Sequence, residues 1–169
     1  MSSDRSSSRE TYRVQVTKDY LTFCSAHFIV YNGTQCERLH GHNYRVGAML
    51  EADLDEDHLV FDFIALKRIL REICNELDHR LLVPLESEKL NVDVGETRVT
   101  ISYQDREWIV PREDCILLPI ANSTAELLAK HIAAKLLDQI GDSTSLRVLE
   151  VEVEESPGQS GTYRLDPVS

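Results

Sequence analysis

Two helical stripes, each flanked by runs that alternate like strands, constrain this chain more than any other feature. Phe63, Leu66, Ile69, Leu70, Ile73 and Leu77 recur at helical spacing behind Asp62, a plausible N-cap. Ser123-Thr124-Ala125-Glu126 has the form of a capping box, with Ser123 as the cap; it opens a helix to about Ile140, and Gly141 is the expected stop. Before the first helix, Thr11 to Phe28 mixes β-branched and aromatic residues and reads as one strand with a bulge. Asn32-Gly33 marks a turn, and His42, Tyr44, Val46, Ala48 and Leu50 then share one face of a second, antiparallel strand. After the second helix, Leu146 to Glu154 alternates with a one-residue slip, Ser156-Pro157-Gly158 breaks the run, and Gly161 to Leu165 forms a short last strand.

Between the helices, Val92 and Val94, then Val99, Ile101 and Tyr103, then Trp108 and Val110, alternate between Pro84 and Pro111. This predicts an inserted hairpin or small meander at about residues 87–115. The order is β, β, α, inserted β unit, α, β, β, in one domain over residues 11–169 behind a disordered tail at 1–10. A net charge of -11 argues against a nucleic-acid partner or an anionic membrane, because both need a basic footprint. No run approaches the length of a membrane helix. The four cysteines, Cys24, Cys36, Cys74 and Cys115, form neither a CxxC pair nor a compact disulfide framework, and read as reduced thiols of a cytoplasmic protein.

The stretch CERLHGH, Cys36 to His42, gathers one thiol and two imidazoles in a chain with six histidines. In a strand, residues i and i+2 share a face, so His40 and His42 can reach one ion. An isolated H-x-H reads better as a turn with exposed histidines. His27, near the end of the preceding strand, evens the choice, because three histidines without a fourth protein ligand make an open, catalytic site. Cys36 would lie on the rim of such a site, with Arg38 favouring its thiolate. Cys24, Cys74 and Cys115 read as small buried hydrophobes, His131 as structural and His58 as a surface residue. Asp78-His79 is either an ordinary helix end or an imidazole oriented by a carboxylate to carry protons. Glu154-Glu155 is either a solvated patch or a carboxylate holding a donor-rich heterocycle.

Taken together, these segments resemble the 6-pyruvoyl-tetrahydropterin synthase and 6-carboxytetrahydropterin synthase family. The matches are F-x-x-x-H at Phe23 to His27, C-x-x-x-H-G-H-N-Y at Cys36 to Tyr44 and V-x-D-F at Val60 to Phe63. Further along come L-D-H at Leu77 to His79, S-T-A-E at Ser123 to Glu126 and V-x-V-x-E at Val151 to Glu155. The resemblance implies an α+β tunnelling fold (T-fold), an antiparallel sheet with two helices on one face, whose subunits close into a trimeric barrel and stack to a hexamer. It implies zinc on His27, His40 and His42, Cys36 as the catalytic thiolate, and His79 oriented by Asp78 as its acid/base partner. Glu155 would anchor the pterin ring, with Thr124 and Glu126 near the pocket. The implied substrate is 7,8-dihydroneopterin triphosphate, bound between subunits. The short spacing from Cys36 to His40 resembles that of the bacterial carboxy-forming enzymes of queuosine and deazapurine synthesis more than that of the animal pyruvoyl-forming enzymes; the pyruvoyl-forming reaction is the alternative. Leu39 stands where the dual type would carry a further glutamate. The chain shows no Gly-rich phosphate loop, which suits a lyase better than a kinase or dehydrogenase. A zinc hydrolase that has no use for Cys36, and a non-catalytic zinc-stabilised module, are the competing classes.

Overall fold

The computed structural model describes residues 10–141 and 146–166; the predicted tail falls almost wholly outside them. Strand β1 (Tyr12–His27) pairs antiparallel with β4 (His40–Ala52), from Tyr12 opposite Ala52 to His27 opposite His40. The predicted bulge is there: the step from Thr17 to Thr22 on β1 faces the shorter step from Gly47 to Arg45 on β4. An odd number of extra residues changes the phase of the strand, so Val16 before the bulge and Leu21 and Phe23 after it all face the core. Between β1 and β4 runs a small ribbon of β2 (Val30–Tyr31) and β3 (Gln35–Cys36), turned by Asn32 and Gly33 at positive φ.

Helix α1 (Phe63–Leu77) starts where expected: the Asp62 carboxylate accepts from the Ile64 N–H at 2.8 Å. Its buried face is Leu66, Ile69, Leu70, Ile73, Cys74 and Leu77, whereas Phe63, first in the predicted stripe, is 48% exposed. Helix α2 (Ala125–Ile140) is capped by Thr124, which accepts from the Leu127 N–H, and not by Ser123. Ser123 is fully buried and its hydroxyl donates to the Phe28 carbonyl, so the next residue takes the cap. Gly141 ends α2 at φ 65°, as predicted.

The main sheet has the order β11 (Gln159–Leu165), β10 (Leu146–Ser156), β4, β1, β5 (Arg80–Pro84) and β9 (Cys115–Leu118). Its antiparallel part is completed by β10 and β11, with a register slip between Leu146 and Val148. Two strands are additions to the predicted order: β5 runs parallel to β1, and β9 runs parallel to β5. The sheet is therefore antiparallel-rich with a parallel flank. Both helices lie over one face, where Tyr44, Val46 and Leu50 of β4 and Leu149, Val151 and Val153 of β10 meet Leu70, Ile73, Ile132 and Leu136.

The segment between β5 and β9 forms a separate three-stranded antiparallel meander: β6 (Asn91–Val94), β7 (Arg98–Tyr103) and β8 (Arg106–Pro111). Val99, Ile101 and Tyr103 of β7 build a second core with Phe28, Val30, Leu81 and Val83. Among the described residues, no helix is long and apolar enough to cross a membrane.

Candidate metal centre and active site

The register of β1 on β4 sets His27 opposite His40 and Ser25 opposite His42, on the face that carries Phe23 and Tyr44. Three imidazoles therefore converge where the two strands meet, with ring centroids 4.7, 5.2 and 4.8 Å apart. One nitrogen from each of His27, His40 and His42 lies within 4.8 Å of the others.

Main-chain carbonyls orient two of the rings. His27 Nδ1 lies 2.9 Å from the Ser123 carbonyl, and His40 Nδ1 lies 2.8 Å from that of Arg38. A carbonyl only accepts, so both Nδ1 atoms carry a proton. His27 is 1% exposed, and among the described residues its buried Nε2 has no hydrogen-bond partner. Glu155 Oε1 comes to 3.3 Å from that atom, but an unprotonated nitrogen and a carboxylate oxygen are both acceptors. Burial lowers the pKa of His27, outweighing the opposite pull of the Ser123 carbonyl and Glu155, which keeps the ring neutral. A neutral imidazole with an orphaned, buried lone pair, aimed at two more imidazoles, fits a metal ion.

Glu155 also lies 3.7 Å from His42 Nε2 and accepts a 3.5 Å bond from the Tyr44 hydroxyl. Burial, and then Glu155, push the Tyr44 phenol well above its ordinary range, so it remains a donor. Glu155 also lines a cavity of about 440 Å³ with Ile29, Thr124, Glu126, Gly158 and the first residues of β11, Gln159 to Gly161. Thr124, Glu126 and Glu155, far apart in sequence, thus share one pocket. A β-carbon at Gly161 would fall 2.5 Å from the Glu126 nitrogen, so this strand presses directly on the first turn of α2.

Cys36 ends β3 half-buried and packed against the second core; among the described residues, no hydrogen bond or ion pair joins it to the imidazoles. Burial raises its thiol pKa, Arg106 works to lower it, and Glu37 works to raise it. The cation set against this thiol is therefore Arg106 of the meander, in place of the expected Arg38. Cys24, expected to be buried, is exposed; Cys74 and Cys115 are buried as predicted.

Asp78 and His79 are in contact, with His79 Nδ1 2.9 Å from Asp78 Oδ2. Asp78 Oδ1 accepts from the Cys24 N–H at 2.7 Å, and the His79 N–H donates to the Cys24 carbonyl, with His79 at φ 55°. Burial acts to raise the Asp78 carboxyl, but the Cys24 N–H and His79 together hold it below the usual range. The His79 side chain is 81% exposed and borders a different cavity, with Cys24, Leu39, Gly41 and Val110. Cys24 alternates with the inward-facing Phe23 and Ser25 on β1, so this pair does not share the pocket of Glu155 within one chain.

Sequence reasoning gave Ser123 and Tyr44 no role at the site and missed Glu37. Glu37 Oε2 lies 3.9 Å from His40 Nε2 and accepts from the Ile29 N–H at 3.3 Å. Glu37 thus sets a carboxylate beside His40, and its place next to Cys36 was the available signal.

The sequence signature of the 6-pyruvoyl tetrahydropterin synthase family matches residues 15–166. A putative 6-carboxy-5,6,7,8-tetrahydropterin synthase of Methanocaldococcus jannaschii is 37% identical over 147 residues, which is 85% of this chain and 90% of that protein. Its counterpart in Pyrococcus horikoshii is 33% identical, covering 86% of this chain and 88% of that protein. Among solved structures, 6-pyruvoyltetrahydropterin synthase of Plasmodium vivax, in a form whose catalytic glutamate is replaced by alanine, superposes with a TM-score of 0.87 at 32% identity, covering 94% of this chain and 100% of that one. The curled, antiparallel-rich sheet with two helices is the tunnelling fold of those structures, and the chain belongs to the 6-pyruvoyl tetrahydropterin synthase family.

Proposed function

We propose that this chain is a zinc-dependent lyase that converts 7,8-dihydroneopterin triphosphate to 6-carboxy-5,6,7,8-tetrahydropterin, in the cytoplasm and on the route to deazapurines such as queuosine. The observation that carries the reading is the convergence of His27, His40 and His42 beside the pocket of Glu155. The archaeal relatives that bear the carboxy-forming name support the choice of product. Three imidazole nitrogens suit zinc better than the hard, oxygen-seeking cations. Zinc held there would supply a Lewis acid for the hydroxyls of the substrate side chain.

The chain's own residues do the rest. Glu155 accepts the N–H groups of the pterin ring, fixing its plane and orientation. Thr124 and Glu126 close the pocket at the first turn of α2. Cys36, as thiolate, takes a proton from the substrate side chain, and His79, held by Asp78, is the acid/base partner. Because His79 opens on the other side of the sheet, we assign it to the site of a neighbouring copy, in a trimer or hexamer.

A second reading, formation of the 6-pyruvoyl product from the same substrate, is favoured by one observation. Glu37 places a carboxylate beside His40, and the similar Plasmodium enzyme, named for the pyruvoyl reaction, has a catalytic glutamate. Replacing Cys36 with alanine separates a lyase from the other classes. A thiol-dependent lyase loses roughly 10²–10⁴-fold in turnover while keeping its metal. A zinc hydrolase or a metal-stabilised scaffold would be indifferent to the change.

A further inference from the structure

We propose that the β6–β8 meander completes the Cys36 site: Arg106 is a positioning residue that anchors the main chain at Cys36 and fixes a positive charge beside its thiol. The inference rests on Cys36 acting as the base of the proposed reaction.

The meander joins the site through one row of side chains. Arg106 and Trp108 are i and i+2 on β8 and so share a face. Arg106 Nη1 donates to the Cys36 carbonyl at 2.9 Å, across 70 residues of sequence. The same guanidinium lies over the Trp108 ring, 4.6 Å from its centroid. Trp108 in turn stacks on Phe28 at 4.3 Å with an interplanar angle of 18°. Phe28 directly follows His27, and its carbonyl accepts from the buried Ser123 hydroxyl at 3.1 Å. Arg106, Trp108 and Phe28 therefore tie the loop that carries the thiol to the strand end that carries the first imidazole.

The chemistry of the thiol gives this arrangement a purpose. Cys36 is half-buried, and burial opposes its ionisation, as does the adjacent Glu37. Arg106, from the meander, is the charge that works the other way. A guanidinium held both by a carbonyl and by an indole face cannot swing away to solvent, so its charge stays where the thiolate forms.

Alkylation of Cys36 by iodoacetamide, followed against pH by peptide mass spectrometry on the full chain, tests this, with exposed Cys24 as internal reference. Two neutral replacements, Arg106→Gln and Arg106→Met, keep the test alive if one of them fails to fold. Both should raise the Cys36 midpoint, slowing its alkylation at pH 7 about three- to tenfold, with Cys24 unchanged. Arg106→Lys keeps the charge and should restore most of the rate. Neutral variants that titrate Cys36 like the parent would overturn the proposal, as would a lysine variant no faster than the glutamine one. The midpoint is read without substrate, so an absence of lyase activity would tell against the proposed function alone.

Discussion

Gly161 is a tight point of the pocket wall, and replacing it with alanine should be costly in a way the structure specifies. The new β-carbon would lie 2.5 Å from the Glu126 nitrogen, 2.7 Å from the Ala125 carbonyl carbon and 2.9 Å from the Ala125 β-carbon, where ordinary contact begins near 3.4 Å. These atoms belong to the first turn of α2 and cannot rotate aside, so either the helix or β11 must move. Overpacking of this kind costs about 1–3 kcal/mol. In a chain of this size 1 kcal/mol shifts Tm by roughly 2–4 °C, so Gly161→Ala should melt about 2–12 °C below the parent. Gly158, in the turn just before β11, is the comparison: its φ is +81°, but a β-carbon added there would meet nothing within 4 Å among the described residues. Gly158→Ala should cost only the left-handed penalty, about 1–2 kcal/mol. Calorimetry on both variants decides the matter, together with pterin affinity, which should fall for Gly161→Ala because Thr124 and Glu126 line the cavity. A Gly161→Ala protein that melts within about 1 °C of the parent would refute the packing argument.

Other consequences follow from the same geometry. Each of His27→Ala, His40→Ala and His42→Ala should lose bound metal to a chelator concentration that the parent survives, read by elemental analysis; full retention by all three would end the metal assignment. Leu70, fully buried between α1 and the sheet, should cost about 2–5 kcal/mol when cut to alanine, read by urea denaturation; a cost under about 1 kcal/mol would contradict the core described above. His131 has a pKa held below its ordinary 6.5, first by burial and then by Lys135, with Glu76 opposing. The unfolded chain therefore takes up a proton that the fold excludes, so this contribution is complete above about pH 6.5 and is lost as pH falls through the folded-state pKa. His131→Leu should flatten the loss of stability below about pH 6.5; parallel parent and variant curves would refute it.

What could be read from the sequence depended on where each signal came from. The face of β4 was legible because His42, Tyr44, Val46, Ala48 and Leu50 alternate on a strand with one face toward the helices. Strands β5 and β9 were not, because RLLVP and CILL are short, largely apolar runs without alternation, in the parallel flank of the sheet. The cap of α2 was misplaced by one residue because the Ser123 hydroxyl is engaged by Phe28, a partner 95 residues away. At the site, the imidazoles were legible because strand period and pairing bring His27, His40 and His42 to one face. The guanidinium beside Cys36 was not, since Arg106 reaches it only through the packing of the meander. Nor could spacing show that His79 would open on the far side of β1 from Glu155.

The most direct test of the proposed activity is the mass of the product formed from 7,8-dihydroneopterin triphosphate by the zinc-loaded protein without added reductant. The expected product is 6-carboxy-5,6,7,8-tetrahydropterin, with acetaldehyde released. A 6-pyruvoyl product that keeps every side-chain carbon would contradict the carboxy assignment, and unchanged substrate would contradict the lyase itself.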